Sequence, residues 1–224
     1  MVARTYIIDP KDVSEDPLAE ERRRAKPGEV PCKTITEPGL SVTTIEVPAV
    51  GDIKLYQNLM HQLRVADGLV VLRMSGMEVW DKDVYVALQE VWMEISEDVE
   101  ARPIFIITVC QGAVRGYQMM LPAFASVCLA DPEATFGMPE VRLGAMPAVQ
   151  TVLLRRRLTE DNIRRLMMST DPIDAYEAQR VGLVDFVGDV EMELARLIQK
   201  NCQPKTMVQF YKPDLERAWA EAEE

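Results

Sequence analysis

The chain has 224 residues and is acidic, with 25 Lys and Arg against 36 Asp and Glu and a formal net charge of −11. Nucleic-acid affinity comes largely from clustered basic side chains that neutralise phosphates, so this charge argues against a nucleic-acid partner. The length suits one α/β core with or without a docked helical tail, and not two large domains. The longest apolar runs fall short of the roughly 20 residues that span a bilayer, and no signal-like segment opens the sequence. We therefore expect a cytoplasmic protein with no membrane partner.

Cysteine and histidine spacing favours neither a metal site nor a disulfide framework. The four cysteines contain no C-x-x-C pair, and Cys110 and Cys128 lie inside apolar runs, where a thiol behaves as a small hydrophobic group. The single histidine, His61, lies in a helix-like segment without a recognisable catalytic partner. No metal and no cofactor are expected.

The first half of the chain predicts an arm followed by the start of an α/β core. Residues 1–40 carry five prolines and little periodicity, which is typical of an extended or linker-like arm. Residues 41–47 alternate enough for an edge strand, and leucines four apart predict a helix over 54–65. A short buried strand is then expected at 69–72.

Strands and helices alternate through the middle of the chain. Apolar spacing predicts a helix over residues 84–99, and the β-branched run at 104–109 predicts a central parallel strand buried on both faces. A further strand is expected at 126–129. This alternation favours an α/β fold with a mainly parallel sheet.

The last part of the chain predicts mostly helices. Asp174, with Glu177 three residues later, resembles a capping box and predicts the start of a helix over residues 175–180. Gly182 predicts the end of that helix. A short strand is expected at 183–187, and helices at 191–200 and 213–223. We therefore divide the chain into the arm 1–40, a core 41–190 and a C-terminal helical segment 191–224.

Three motifs in a fixed order resemble those of the crotonase (enoyl-CoA hydratase/isomerase) superfamily. The first is an Arg-Pro pair and an apolar strand followed by QGAVRG at residues 111–116. The second is ATFGMPEVRLGAMP at 134–147, and the third is DPIDAYEA at 171–178 followed by VGLV at 181–184. The resemblance implies a divergent member with a crotonase-like ββα-repeat core and a C-terminal helical region. It also implies a homo-oligomer, a trimer or a hexamer.

The resemblance implies an oxyanion hole of two backbone N–H groups that stabilise a thioester enolate, each worth about 3 kcal/mol. One donor corresponds to Tyr117, directly after Gly116, where the family has glycine. Gln118 likewise replaces a glycine, and Pro122 falls where the family has a helix interior. The second donor is expected within residues 77–81, without an assignable residue.

The same resemblance assigns one acid/base and a substrate pocket. Glu140 corresponds to one of two family glutamates that transfer protons, whereas Met120 stands at the position of the other and has no proton to exchange. The pocket is expected to include Gly112, Met120, Pro139 and Ala148.

Three functions are compatible with these residues. The leading hypothesis is an isomerase or dehydratase-like lyase that acts on an acyl-CoA or acyl-carrier-protein thioester, with Glu140 as its single acid/base. The first alternative is a catalytically silent subunit that binds a partner or forms a scaffold. The weaker alternative is a thioester decarboxylase, against which the Glu140 carboxylate argues because it would repel a departing carboxylate.

Overall fold

The computed structural model describes residues 18–37, 40–49, 52–76 and 104–199. The strands are β1 (Cys32–Glu37), β2 (Leu40–Glu46), β3 (Leu69–Met74), β4 (Phe105–Cys110), β5 (Ala113–Arg115), β6 (Val127–Ala130), β7 (Thr135–Gly137), β8 (Ile173–Asp174) and β9 (Phe186–Val187). The α-helices are α1 (Ala19–Arg24), α2 (Ile53–Val65), α3 (Met120–Phe124), α4 (Ala148–Leu154), α5 (Glu160–Ser169), α6 (Ala175–Arg180) and α7 (Val190–Gln199). Two 3₁₀ helices span Gly116–Met119 and Pro139–Leu143.

The strands form two sheets. The larger sheet has the order β1-β2-β3-β4-β6-β9 and is parallel except for the β1–β2 pair. The smaller sheet has the order β5-β7-β8. This mixed α/β architecture confirms the expected fold class.

The centre of the larger sheet is buried on both faces, as its β-branched sequence predicts. Every residue of β3 and β4 is buried. Because successive side chains point to opposite faces, Val70 and Ile106 enter the main hydrophobic core, whereas Val71 and Ile107 enter a second core.

Helix α7 covers the second core. It contributes Val190 and Leu194 to that core, and the Arg73 guanidinium of β3 donates to both carboxylate oxygens of Glu191, at 2.5 and 2.6 Å. The helix expected at 191–200 therefore packs directly on the sheet. None of the helices within the described ranges has the length and apolar character needed to cross a bilayer.

The N-terminal region contains regular structure that the sequence did not indicate. Strand β1 lies within the expected arm and pairs with β2, so β1 forms the edge of the sheet and β2 is second from it. The prediction that residues 41–47 form a strand at the edge of the sheet was therefore wrong about the edge, because this strand is second from it. Strand β1 reads Cys-Lys-Thr-Ile-Thr-Glu, and these mostly polar side chains leave no apolar period for the sequence to show. Residues 1–17, and the helices expected at 84–99 and 213–223, lie outside the described residues.

Candidate active site

Two short parallel strands bring the candidate site together. Strands β5 and β7 pair in parallel with Arg115 opposite Gly137. Since parallel strands end at the same edge of a sheet, the turn at Gly116 and the carboxylate of Glu140 both follow at that edge. The Arg115 guanidinium donates to the Thr135 carbonyl at 2.6 Å and to its hydroxyl at 2.7 Å, which fixes the two strands to each other.

The turn after β5 depends on a glycine. Gly116 has φ +57°, in the left-handed region that favours glycine, and it begins the 3₁₀ helix. The α-helix that follows, α3, has only five residues and contains Pro122. A long helix through this proline would lose a backbone hydrogen bond. The chain avoids that loss by using two short helices.

The large side chains that replace the family glycines are buried. Tyr117 is 1% exposed and belongs to the main core, and Gln118 is fully buried. The Gln118 amide Nε2 donates to the Pro48 carbonyl at 2.8 Å, and the Tyr56 hydroxyl donates to the same carbonyl at 3.0 Å. Gln118 therefore anchors the turn to the segment that follows β2.

Gly112 permits a close approach between the segment after β4 and the segment after β3, at one end of the larger sheet. A Cβ atom at this position would lie 2.4 Å from the Ser75 carbonyl oxygen. Ser75 follows β3, and the Gln111 N–H donates to the Met74 carbonyl at 2.8 Å. The chain after β3 therefore passes beside Gly112 on its way to residues 77–81, the expected second oxyanion segment, which lie outside the described residues.

Glu140 has a buried carboxyl group, and its two oxygens differ in their hydrogen bonding. It is 1% exposed, and its Oε1 accepts a hydrogen bond from the Gln150 amide Nε2 at 3.0 Å. Its Oε2 is buried and accepts no hydrogen bond from the described residues. Burial raises the pKa of Glu140 from 4.5 to about 7, although its own backbone N–H and Gln150 favour the charged form.

Two other residues of the predicted pocket begin short helices on either side of Glu140 in the sequence. Pro139 begins the 3₁₀ helix that holds Glu140, and Ala148 begins helix α4. Met120 is fully buried, and its thioether supplies no exchangeable proton. Within the part of the chain that the structure describes, no three His, Cys, Asp or Glu side chains form a metal-binding group.

Gln150 is the site residue that sequence reasoning missed. The available signal was the segment Pro147-Ala148-Val149-Gln150, which has no glycine where the crotonase motif continues with a glycine-rich turn. The hydrogen bond to Glu140 depends on how helix α4 docks, and local sequence does not specify that.

Comparison with known proteins agrees with this architecture. A sequence model of the enoyl-CoA hydratase/isomerase family matches residues 68–224. The solved structure of an enoyl-CoA hydratase from Thermoplasma volcanium superposes with a TM-score of 0.69 at 20% identity, covering 84% of each chain. That of a methylmalonyl-CoA decarboxylase gives 0.66 at 21% identity and covers 85% of this chain and 81% of the other. At these identities the structures show a shared fold.

A curated relative matches over a shorter segment. Cyclohexa-1,5-dienecarbonyl-CoA hydratase from Thauera aromatica is 31% identical over 87 residues. The match covers 39% of this chain and only about a third, 34%, of the relative.

Proposed function

Because this chain belongs to the enoyl-CoA hydratase/isomerase family, we propose that it acts on an acyl thioester through an oxyanion-stabilised enolate. The substrate carries coenzyme A or an acyl-carrier protein, and Glu140 is the single acid/base. The observation that carries this proposal is the buried Glu140 carboxyl, which has one hydrogen-bonded oxygen and one oxygen without a partner among the described residues.

The pKa of Glu140 suits a group that both takes and returns a proton. At a pKa of about 7, both protonation states are populated near neutral pH. As carboxylate, Glu140 removes a proton from the carbon next to the thioester carbonyl. The electron pair of that C–H bond forms the C=C bond of the enolate, and the π electrons of the carbonyl move onto its oxygen. As carboxylic acid, it returns the proton to a different carbon in an isomerase, or to a departing hydroxyl group in a lyase.

The negative oxygen of the enolate requires fixed hydrogen-bond donors. We assign one donor to the backbone N–H of Tyr117, in the 3₁₀ helix that begins at Gly116. The second belongs to the chain that continues beyond Ser75 and Gly76. Such donors are each worth about 3 kcal/mol because they are positioned before charge develops.

Met120 argues against hydration by a pair of glutamates. Adding water to a double bond needs a base for the water and an acid for the carbon. The resemblance places the second glutamate at position 120, where this chain has a buried thioether. Proton transfer by one carboxyl therefore fits isomerisation or elimination better than two-glutamate hydration.

A catalytically silent subunit is the second candidate, and the burial of the site favours it. Tyr117, Gln118 and Met120 are at most 1% exposed and fill positions where the family has two glycines and a glutamate. A thioester enters only if the chain leaves space beside these side chains. Such a subunit would retain the fold and bind a partner in place of a substrate.

Calorimetry with a panel of acyl-CoA and acyl-pantetheine thioesters and the matching free acids tests the proposal. Oxyanion donors recognise the thioester carbonyl, so the thioester should bind more tightly than its acid. The Glu140→Gln variant keeps the shape of the side chain and should retain this preference. Equal or absent binding across the panel would contradict the enzyme proposal and support the silent subunit.

A further inference from the structure

Gln150 is a buried amide whose contact the crotonase motif does not account for. Its side chain lies in helix α4, is fully buried, and directs Nε2 to Glu140 Oε1 at 3.0 Å. Burying an amide is unfavourable unless it forms hydrogen bonds, so the pairing with Glu140 contributes to holding this side chain in place.

Helix α4 is fixed against the rest of the site. It packs against the 3₁₀ helix Gly116–Met119 and against α3. At its start, the Thr151 hydroxyl donates to the Pro147 carbonyl at 2.7 Å. The Gln150 amide therefore reaches Glu140 from a helix that also contacts the turn assigned to the oxyanion donor.

A donor on one carboxyl oxygen decides where the proton resides. Nε2 can only donate, so Oε1 acts as an acceptor whether Glu140 is charged or neutral. In the neutral acid the proton is therefore on Oε2. We propose that Gln150 is a positioning residue, which reserves Oε2 as the oxygen that exchanges protons with the substrate and stabilises the carboxylate form of Glu140. This inference rests on the proposed function for its substrate, but not for its effect on Glu140.

Charged groups near these elements have partners other than Glu140, and the Arg156 guanidinium lies 5.8 Å from the centroid of the Phe124 ring of α3. Helices α3 and α4 and the 3₁₀ helix Gly116–Met119 contain no acidic or basic residue, and Tyr117 is their only titratable group. Arg115 donates to Thr135. The ion pairs on the neighbouring 3₁₀ helix and on α5 are Arg142–Asp171, Arg155–Glu160, Arg164–Asp161 and Arg165–Glu177. Within the described ranges, Gln150 is the side chain that forms a hydrogen bond with the Glu140 carboxyl.

The test is the titration of Glu140 by carbon-13 NMR of its carboxyl group, with Glu140→Gln used for assignment. Gln150→Met replaces the donor with an apolar side chain of similar size. A hydrogen bond to a charged group is worth about 1.5–3 kcal/mol, so the Glu140 pKa should rise by about one to two pH units. Thr151→Val is the matched control, since it removes a hydroxyl from the same helix without touching Glu140, and it should leave the titration unchanged.

A second variant and a second readout keep the test decisive. Gln150→Leu, with a smaller apolar side chain, also removes the donor and should likewise raise the Glu140 pKa. Exchange of the α-proton of a bound acyl-CoA into deuterated water should shift its pH midpoint upward with the carboxyl. An unchanged Glu140 titration in either folded Gln150 variant would overturn the inference. A shifted titration in a protein that exchanges no α-proton would support Gln150 as the positioning residue and contradict the proposed function instead.

Discussion

At the scale of single residues, Glu140 links folding to pH. Its pKa is about 7 in the folded protein and 4.5 is its ordinary value, chiefly because burial disfavours the charge. A carboxyl whose folded pKa is raised contributes stability that is complete below pH 4.5. That stability is lost as the pH rises through about 7, because the unfolded chain releases the proton first.

The first prediction is that Glu140→Gln removes this loss of stability at high pH. The shift of about 2.5 units corresponds to roughly 3 kcal/mol of unfolding free energy. The variant should match the wild type at pH 4.5 and exceed it by about that amount at pH 8, as measured by urea unfolding at both pH values. Glu133→Gln, an exposed carboxylate before β7, is the control and should show no such difference. Parallel stability profiles for wild type and Glu140→Gln would show that Glu140 is not held neutral by burial.

The second prediction concerns the close approach at Gly112. A Cβ atom would lie 2.4 Å from the Ser75 carbonyl oxygen, so Gly112→Ala must displace backbone. We expect a loss of about 1–3 kcal/mol of unfolding free energy, in the range of overpacked cores. Gly137→Ala is the control, because its Cβ would be 3.4 Å from the nearest atom and should change stability little. Equal stability of the two variants would contradict the close packing of these segments.

At the scale of elements, Arg157 joins the end of α4 to the strands of the larger sheet. Its side chain is 13% exposed and donates to Asp185 Oδ2 at 2.9 Å and to the Ala125 carbonyl at 2.6 Å. Asp185 Oδ2 also accepts from the Cys128 N–H in β6, at 2.7 Å. The arginine run at 155–157 is therefore only partly a solvated surface.

The third prediction compares how much Arg157 and Arg155, at the two ends of that run, contribute to stability. Arg157→Ala removes the arginine donor from the Ala125 carbonyl and one of the two donors to Asp185 Oδ2, and it should lower the unfolding free energy by about 2 kcal/mol. Arg155→Ala breaks only the pair with Glu160, in which both side chains are more than half exposed, and should cost less than about 1 kcal/mol. Thermal unfolding of both variants measures the difference, and a greater destabilisation by Arg155→Ala would contradict the structural role of Arg157.

Elements with a local signal were predictable from sequence, whereas contacts between elements were not. The apolar run at 104–109 predicted buried β4, and Asp174 predicted helix α6, whose first turn it caps by accepting from the Glu177 N–H at 2.7 Å. Strand β1 was missed because polar side chains on an exposed edge leave no apolar period. The pairing of Gln150 with Glu140 was missed because it depends on the docking of a helix.

At the scale of the whole molecule, the fourth prediction is assembly. The resemblance implies a trimer or a pair of trimers, with residues 190–224 near the interface. Met192 is 65% exposed on α7 and is a candidate for burial between subunits. Light scattering should give about three or six times the chain mass of 25.3 kDa.

A matched pair of substitutions locates the interface. Met192→Asp should weaken assembly, because it places a charge in the proposed contact. Tyr176→Asp, on helix α6 and 59% exposed, should not. A wild-type chain that stays monomeric at every concentration would rule out the assembly.

The role of Glu140 as proton carrier is tested most directly by α-proton exchange of a bound acyl-CoA in deuterated water, followed by proton NMR at pH 7 for the wild type and Glu140→Gln. General acid/base assistance is worth about 100- to 10,000-fold. We expect the wild type to incorporate deuterium at the α-carbon and Glu140→Gln, folded and still binding the thioester, to be slower by that factor. Equal exchange rates in the two proteins would show that Glu140 is not the proton carrier.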